Sequence, residues 1–272
     1  AMEHLMPEAV ALFAEFDLDA IRALGMRVEV VGNALLICGD SLRALAFIRG
    51  ATDVMTDPPY SSGGAFRADR VSATSIKYQS PQSRGLYPEF SGDNRDQRSF
   101  AHWSALWLGA CREATRPGGL LGCFTDWRQL PSTTDALQAG GWVWRGIAVW
   151  DKTEGTRPRK GAYRNQCEYL AWGSNGGMGK DGVCAPGVFK HSVNSEKKHH
   201  IAGKPTALLE NLLTICGDVI LDPFMGSGTT GIAAVRSGRK FIGIEMDAVH
   251  FEVARARIAD AQGMGEPEAV AA

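Results

Sequence analysis

The stretch Asp222-Pro223-Phe224-Met225-Gly226-Ser227-Gly228-Thr229-Thr230-Gly231 follows the apolar run Val219-Ile220-Leu221 and leads into Ile232-Ala233-Ala234-Val235. An apolar run ending in an acidic-proline step is a strand that stops, and Gly-x-Gly-x-x-Gly is a turn from which a helix can start close against a ligand. The next apolar run, Lys240 to Glu245, closes on a carboxylate 19 residues after Gly226, placed to accept from two ribose hydroxyls. A second strand of the same design lies far upstream, where Val54-Met55-Thr56 ends in Asp57-Pro58-Pro59-Tyr60. Both strands put polar groups at the carboxyl edge of a parallel sheet, the edge at which α/β folds bind ligands.

Outward from these two strands, residues 7–24 read as an amphipathic helix through Val10, Phe13, Phe16 and Ile21, and Gly32-Asn33 turns Val28–Val31 into Ala34–Cys38. Residues 61–100 are rich in Ser, Gly, Arg and Gln with little periodicity, and a lid is expected there. Helical spacing over 100–115 ends at Pro117-Gly118-Gly119, before a strand over 120–124. A helix near 129–139, strands over 142–150, 167–172, 219–222 and 240–245, and helices over 206–216, 229–237 and 247–262 complete the pattern, with 263–272 as a frayed tail. This alternation specifies an α/β fold, doubly wound around a mostly parallel, Rossmann-like sheet.

At 272 residues, 44% hydrophobic and 22% charged, the chain has room for one large domain with an insertion. No apolar run approaches the ~18 residues that span a bilayer, and Glu3-His4-Leu5-Met6-Pro7-Glu8 lacks the basic and apolar regions of a leader. A cytoplasmic protein without membrane contact is expected. The six cysteines have no Cys-x-x-Cys pair and mostly fall in apolar patterns, so buried free thiols are expected. His199 and His200 have no acidic or cysteine partner at a zinc spacing, and no metal is expected. The net charge of −1 conceals an asymmetry: residues 152–204 carry ten Lys/Arg against four acids, leaving −7 for the remainder.

A nicotinamide dehydrogenase would place the glycine turn near the start of its βαβαβ unit, whereas here only one more strand follows it. The sheet must be completed by strands that precede the turn. Asp222 and Asp40 also suit a zwitterionic ligand bearing amino groups better than a pyrophosphate. At the other strand, Asp57 and the Pro58 carbonyl can each accept one N–H of an aromatic amine, leaving its lone pair aimed at an electrophilic methyl group. Tyr60 offers a surface on which a base can stack, and Pro59 stiffens the turn.

Together these motifs resemble the S-adenosylmethionine-dependent amino-methyltransferases of DNA, and their order, catalytic motif first, is similar to that of the family's beta group. Gly203-Lys204-Pro205 resembles the family's N-terminal cofactor motif in permuted position, and Leu36-Ile37-Cys38-Gly39-Asp40 resembles the strand whose acid meets adenine. The resemblance spans nearly the whole chain and implies a circularly permuted methyltransferase sheet. It implies that S-adenosyl-L-methionine is the cofactor, with Asp222, Phe224, Gly226, Ser227, Gly228 and Thr229 around its methionine part. Glu245 would hold the ribose, Asp40 the adenine amine, and Lys204 would approach the methionine carboxylate. Asp57, Pro58, Pro59 and Tyr60 would be catalytic, and Asp at the first motif position goes mainly with adenine N6, Ser with cytosine N4.

Residues 1–151 and 201–272 are then the catalytic domain, and 152–200 an inserted target-recognition segment. Arg157, Arg159, Lys160, Arg164, Lys197 and Lys198 are its candidate contacts to the phosphates of double-stranded DNA. A target base inside a duplex must be flipped out. So short a segment suits a short or relaxed site, or a homodimer in which a second subunit adds contacts. Modification of DNA, alone or beside a restriction enzyme, is the expected activity; a cytosine-N4 enzyme or an inactive DNA-binding relative are the alternatives. Trp127 is the tryptophan expected nearest the pocket.

Overall fold

The computed structural model describes residues 16–60, 95–156, 158, 160–179, 182–193 and 204–264. The strands are β1 (Arg27–Val31), β2 (Ala34–Cys38), β3 (Asp53–Thr56), β4 (Leu120–Thr125), β5 (Val143–Asp151), β6 (Cys167–Ser174), β7 (Val188–Lys190), β8 (Val219–Asp222) and β9 (Lys240–Glu245). They form one sheet in the order β1-β2-β9-β8-β3-β4-β6-β5-β7. The run from β2 through β9, β8 and β3 to β4 is parallel; β1 pairs with β2, and β6 with both β4 and β5, in antiparallel sense. The helices are α1 (Leu18–Ala23), α2 (Ser41–Leu45), α3 (Gln97–Ala114), α4 (Leu130–Ala139), α5 (Thr206–Leu212), α6 (Thr229–Arg236) and α7 (Ala248–Ala261).

The central strands of the sheet are buried on both faces, so they are continuous apolar runs whose successive side chains serve different cores. Leu35 and Ile37 point to a core closed by Ile21, Leu45, Trp107, Leu108 and Leu137 of α1 to α4. Leu36, between them, points to the other core, with Leu208, Leu209, Ile232, Phe251 and Ile258 of α5, α6 and α7. Chain crossing from β3 therefore leaves on one face and chain from β8 on the other. Since β3 and β8 are neighbours, the sheet has its switch point between them, and it is at the carboxyl ends of such a strand pair that α/β sheets bind ligands. At the opposite edge the buried Asp53 accepts from Leu120 N at 2.7 Å and Gly217 N at 2.6 Å, so one carboxylate fixes the starts of β4 and β8 against β3.

The expected elements recur with shifted ends. The N-terminal helix is described only as α1, and 61–94, most of the expected lid, lies outside the described residues, as do the 265–272 tail and residues 1–15. Helix α3 begins at Gln97, inside that lid segment, because Asp96 accepts from Ser99 N and caps it. The described residues of 152–200 include β6, which lies between β4 and β5, and β7, which lengthens the edge. What stands outside the sheet is the connections on either side of β6. Of the cysteines, Cys111 and Cys123 are buried, Cys184 is exposed and the others are intermediate; all six are free. No helix among the described residues is long and apolar enough to cross a membrane.

Candidate active site

At the end of β8 the Asp222 side chain is buried and accepts from Thr56 Oγ1 at 2.7 Å and Phe224 N at 3.0 Å. Thr56 is the last residue of β3, so this bond staples the two strands at the switch point. Burial pushes the Asp222 carboxyl up to about 7, against the pull of those hydrogen bonds and with help from the Asp57 charge. Near neutrality it therefore lies between its two charge states, ready to ionise beside a cation.

The turn after Asp222 has the geometry of a cradle. Gly226 and Gly228 have φ of +51° and +82°, the left-handed region that favours glycine. A Cβ on Gly226 would meet nothing within 4 Å, whereas one on Gly228 would lie 3.0 Å from Ala254 Cβ, and one on Gly231 2.6 Å from Ile258 Cδ1. The first glycine thus faces open space and the other two let α6 pack against α7 and β9. Glu245 fastens the cradle: Oε2 accepts from Gly226 N at 2.9 Å and Oε1 from Asp247 N at 2.8 Å. A carboxylate has about four lone-pair positions, so each oxygen keeps one for a further donor. Ser227 turns away, with Arg257 donating to its Oγ at 3.0 Å, and Thr229 opens α6. Phe224 packs edge-on against Trp107, with centroids 5.0 Å apart, and tilted against Trp103 at 5.4 Å. Asp40 caps α2 through Arg43 N at 3.1 Å. It stands close to Glu245 because Cys38 and Glu245 are register partners.

One strand over, at the end of β3, Tyr60 donates its hydroxyl to Asp57 Oδ1, and Lys204 Nζ lies 2.6 Å from Asp57 Oδ2 and 2.8 Å from the Tyr60 hydroxyl. The same ammonium is 3.3 Å from Glu168 Oε2 on β6, and Glu168 Oε1 accepts from Lys152 at 3.2 Å. The Phe124 ring is 5.0 Å from Lys204 Nζ and the Tyr60 ring 5.2 Å. Burial works against the Lys204 charge, but Asp57 and Glu168 outweigh it and hold its pKa above the ordinary lysine range. Asp57 moves upward: burial and the Glu168 charge prevail over Lys204 and Tyr60. Glu168 goes the other way, since its two lysines overcome its burial.

Sequence reasoning found the strand ends and the glycine turn. It missed Glu168 and Lys152, and it set Lys204 toward the methionine carboxylate, whereas here Lys204 sits on Asp57. The signal for Glu168 was present only as an acid at a strand start within a basic segment. Of the six basic candidates, Arg157, Arg159, Lys197 and Lys198 lie outside the described residues. Lys160 is exposed; Arg164 is spent on the loop, donating to the Glu154 and Thr156 carbonyls. Trp127 is 53% exposed just beyond β4, with the Arg128 guanidinium 5.1 Å from its ring centre. Among the described residues no cluster of His, Cys, Asp and Glu gathers as a metal site.

Residues 184–256, which include β7, β8, the glycine turn and β9, match the family model described as DNA methylase (N6_N4_Mtase). The chain is 29% identical over 235 residues to the Escherichia coli (strain K12) protein named "Putative methylase YubD", covering 83% of this chain and 90% of that one. It is 26% identical over 251 residues to the type II methyltransferase M2.LlaDCHI of Lactococcus lactis subsp. cremoris, covering 83% and 89%. In fold it is similar to M1.HpyAVI in its complex with SAM (TM-score 0.59, 21% identity, covering 83% of this chain and 98% of that chain). It is likewise similar to the cytosine-N4-specific PvuII DNA methyltransferase (TM-score 0.63, 17% identity, covering 85% and 92%).

Proposed function

We propose that this chain, similar over residues 184–256 to the DNA methylase family model and in fold to DNA methyltransferases, is an S-adenosylmethionine-dependent amino-methyltransferase of DNA that methylates adenine at N6. The observation that carries this reading is the Asp57 carboxylate at the end of β3, one strand from the buried Asp222 across the switch point. Neighbouring strand ends of this kind support a reading in which Asp57 accepts the amine and Asp222 faces the cofactor's cation.

The fit of the cofactor rests on the open space beside Gly226, the Glu245 carboxylate that holds the turn, and the buried Asp222, whose carboxyl is raised to about 7. When bound, S-adenosylmethionine supplies an electrophilic methyl group on sulfur. Asp222 would then face its ammonium and Glu245 its ribose hydroxyls, while Asp40, near Glu245, would take the adenine amine. Phe224, backed by Trp103 and Trp107, would shield the reacting atoms from water.

For the base, Asp57 and the Pro58 carbonyl would accept the two N–H groups of the amine, so that its lone pair points at the cofactor wall. Tyr60 supplies the stacking surface. An exocyclic amine conjugated to its ring gains little from deprotonation in advance, and orientation supplies the catalysis. Flipping costs a few kcal/mol, to be offset by stacking and phosphate contacts.

Cytosine N4 is the second reading, favoured by the likeness to the PvuII enzyme, whose name states that specificity. Nucleoside mass spectrometry of treated DNA separates the two.

A further inference from the structure

We infer that Glu168 is a positioning residue of the methyl-transfer site: it is the second seat onto which the Lys204 ammonium moves when Asp57 takes up the target amine. This deepens the reading of the same site given above and rests on it.

Both Asp57 oxygens are engaged, Oδ1 by the Tyr60 hydroxyl and Oδ2 by Lys204 at 2.6 Å. An incoming amine must therefore compete with an ammonium for its acceptor. If Lys204 simply let go, its charge would be stranded, because its side chain is only 6% exposed and aromatic rings of Phe124, Tyr60 and Trp150 surround it. Glu168 removes that obstacle. Its Oε1 is engaged by Lys152, but its buried Oε2 has no hydrogen-bond partner among the described residues and lies 3.3 Å from Lys204 Nζ. Charge-assisted N–H···O bonds run at about 2.7–2.9 Å, so a side-chain shift of about half an ångström completes the bond. The ammonium keeps a carboxylate throughout, and Asp57 Oδ2 is freed.

The charged and titratable groups around Asp57 are Lys204 ahead of α5, Tyr60 beyond β3, Glu168 on β6, Cys123 on β4 and Asp222 on β8; Lys152, after β5, acts through Glu168. Removing the Glu168 charge leaves Lys204 with Asp57 alone. The amine is then excluded more strongly and Asp57 ionises more readily, two effects that a loss of packing does not combine.

The test is methyl transfer from labelled S-adenosylmethionine to duplex DNA, counted irrespective of the base modified, as a function of pH. Glu168→Gln is expected to lower the plateau rate by about tenfold, the scale of a buried charged hydrogen bond. Its acid limb is expected to move down by roughly one pH unit, the effect of one nearby charge. Calorimetric affinity for S-adenosylmethionine stays near wild type. Lys152→Met, which strengthens the pull of Glu168 on Lys204, is expected to move the limb upward and serves if Glu168→Gln does not fold. Acid limbs that stay in place overturn the inference, whatever happens to the plateaus. Wild-type protein that methylates no DNA base removes the functional reading and this inference with it; an active wild type with unmoved limbs removes only the inference.

Discussion

Asp222 and Asp57 are the same side chain in different surroundings, and the proposed function gives them different tasks. Asp222 is buried, and burial raises its pKa to about 7 although its hydroxyl and amide donors pull the other way. A carboxyl raised in the folded state contributes stability that is present at low pH and lost as pH rises through about 7. Asp222→Asn is accordingly expected to gain thermal stability relative to wild type at alkaline pH and not at acid pH. The cofactor's positive charge works in the opposite sense by favouring the carboxylate. Its affinity is expected to rise with pH through neutrality in wild type and to stay flat in Asp222→Asn, as read by titration calorimetry. Glu245→Ala removes both the proposed ribose acceptor and the anchor of the Gly226 amide. Hydrogen bonds to a charged acceptor contribute about 1.5–3 kcal/mol, so cofactor binding is expected to weaken by about tenfold or more. Asp57→Ala should leave that affinity within a few fold while abolishing transfer.

At the scale of the element, the glycine turn links sequence to packing. A side chain at Gly228 adds left-handed strain to a 3.0 Å contact with Ala254. One at Gly226 meets open space and bears strain alone. Gly228→Ala is expected to lower the unfolding free energy by about 1–3 kcal/mol, and Gly226→Ala to cost less stability while impairing cofactor binding; chemical denaturation beside calorimetry reads both. These strand ends were legible in the sequence because apolar runs, Asp-Pro steps and glycines are local signals, and the carboxyl edge follows from them. The Lys204 contact with Asp57 was not legible, since it joins residues 147 apart and depends on how α5 approaches the sheet. Within the basic segment the strand over 167–172 was legible from its apolar run, but its place between β4 and β5 was not, because sheet order there departs from chain order, and neither was the three-residue β7. The bonds from Arg164 to the Glu154 and Thr156 carbonyls were not legible either, since charge is visible in a sequence and its partner is not.

For the whole molecule, one mixed, mostly parallel sheet places the glycine turn and Glu245, the proposed cofactor cradle, on β8 and β9 and Asp57, the proposed amine acceptor, at the end of β3, while β5, β6 and β7 lie at the far side. If the basic segment meets phosphate, replacing Arg157, Arg159 and Lys160 together weakens binding to all duplexes alike. The slope of log affinity against log salt then falls by about 0.9 for each phosphate no longer neutralised. A slope equal to that of the wild type would place DNA elsewhere. The central claim is the chemistry at Asp57, and mass spectrometry of nucleosides from unmodified duplex DNA incubated with the protein and S-adenosylmethionine tests it most directly. The expected product is N6-methyladenine, absent with Asp57→Ala; N4-methylcytosine as the main product, or undiminished methylation by Asp57→Ala, would contradict it.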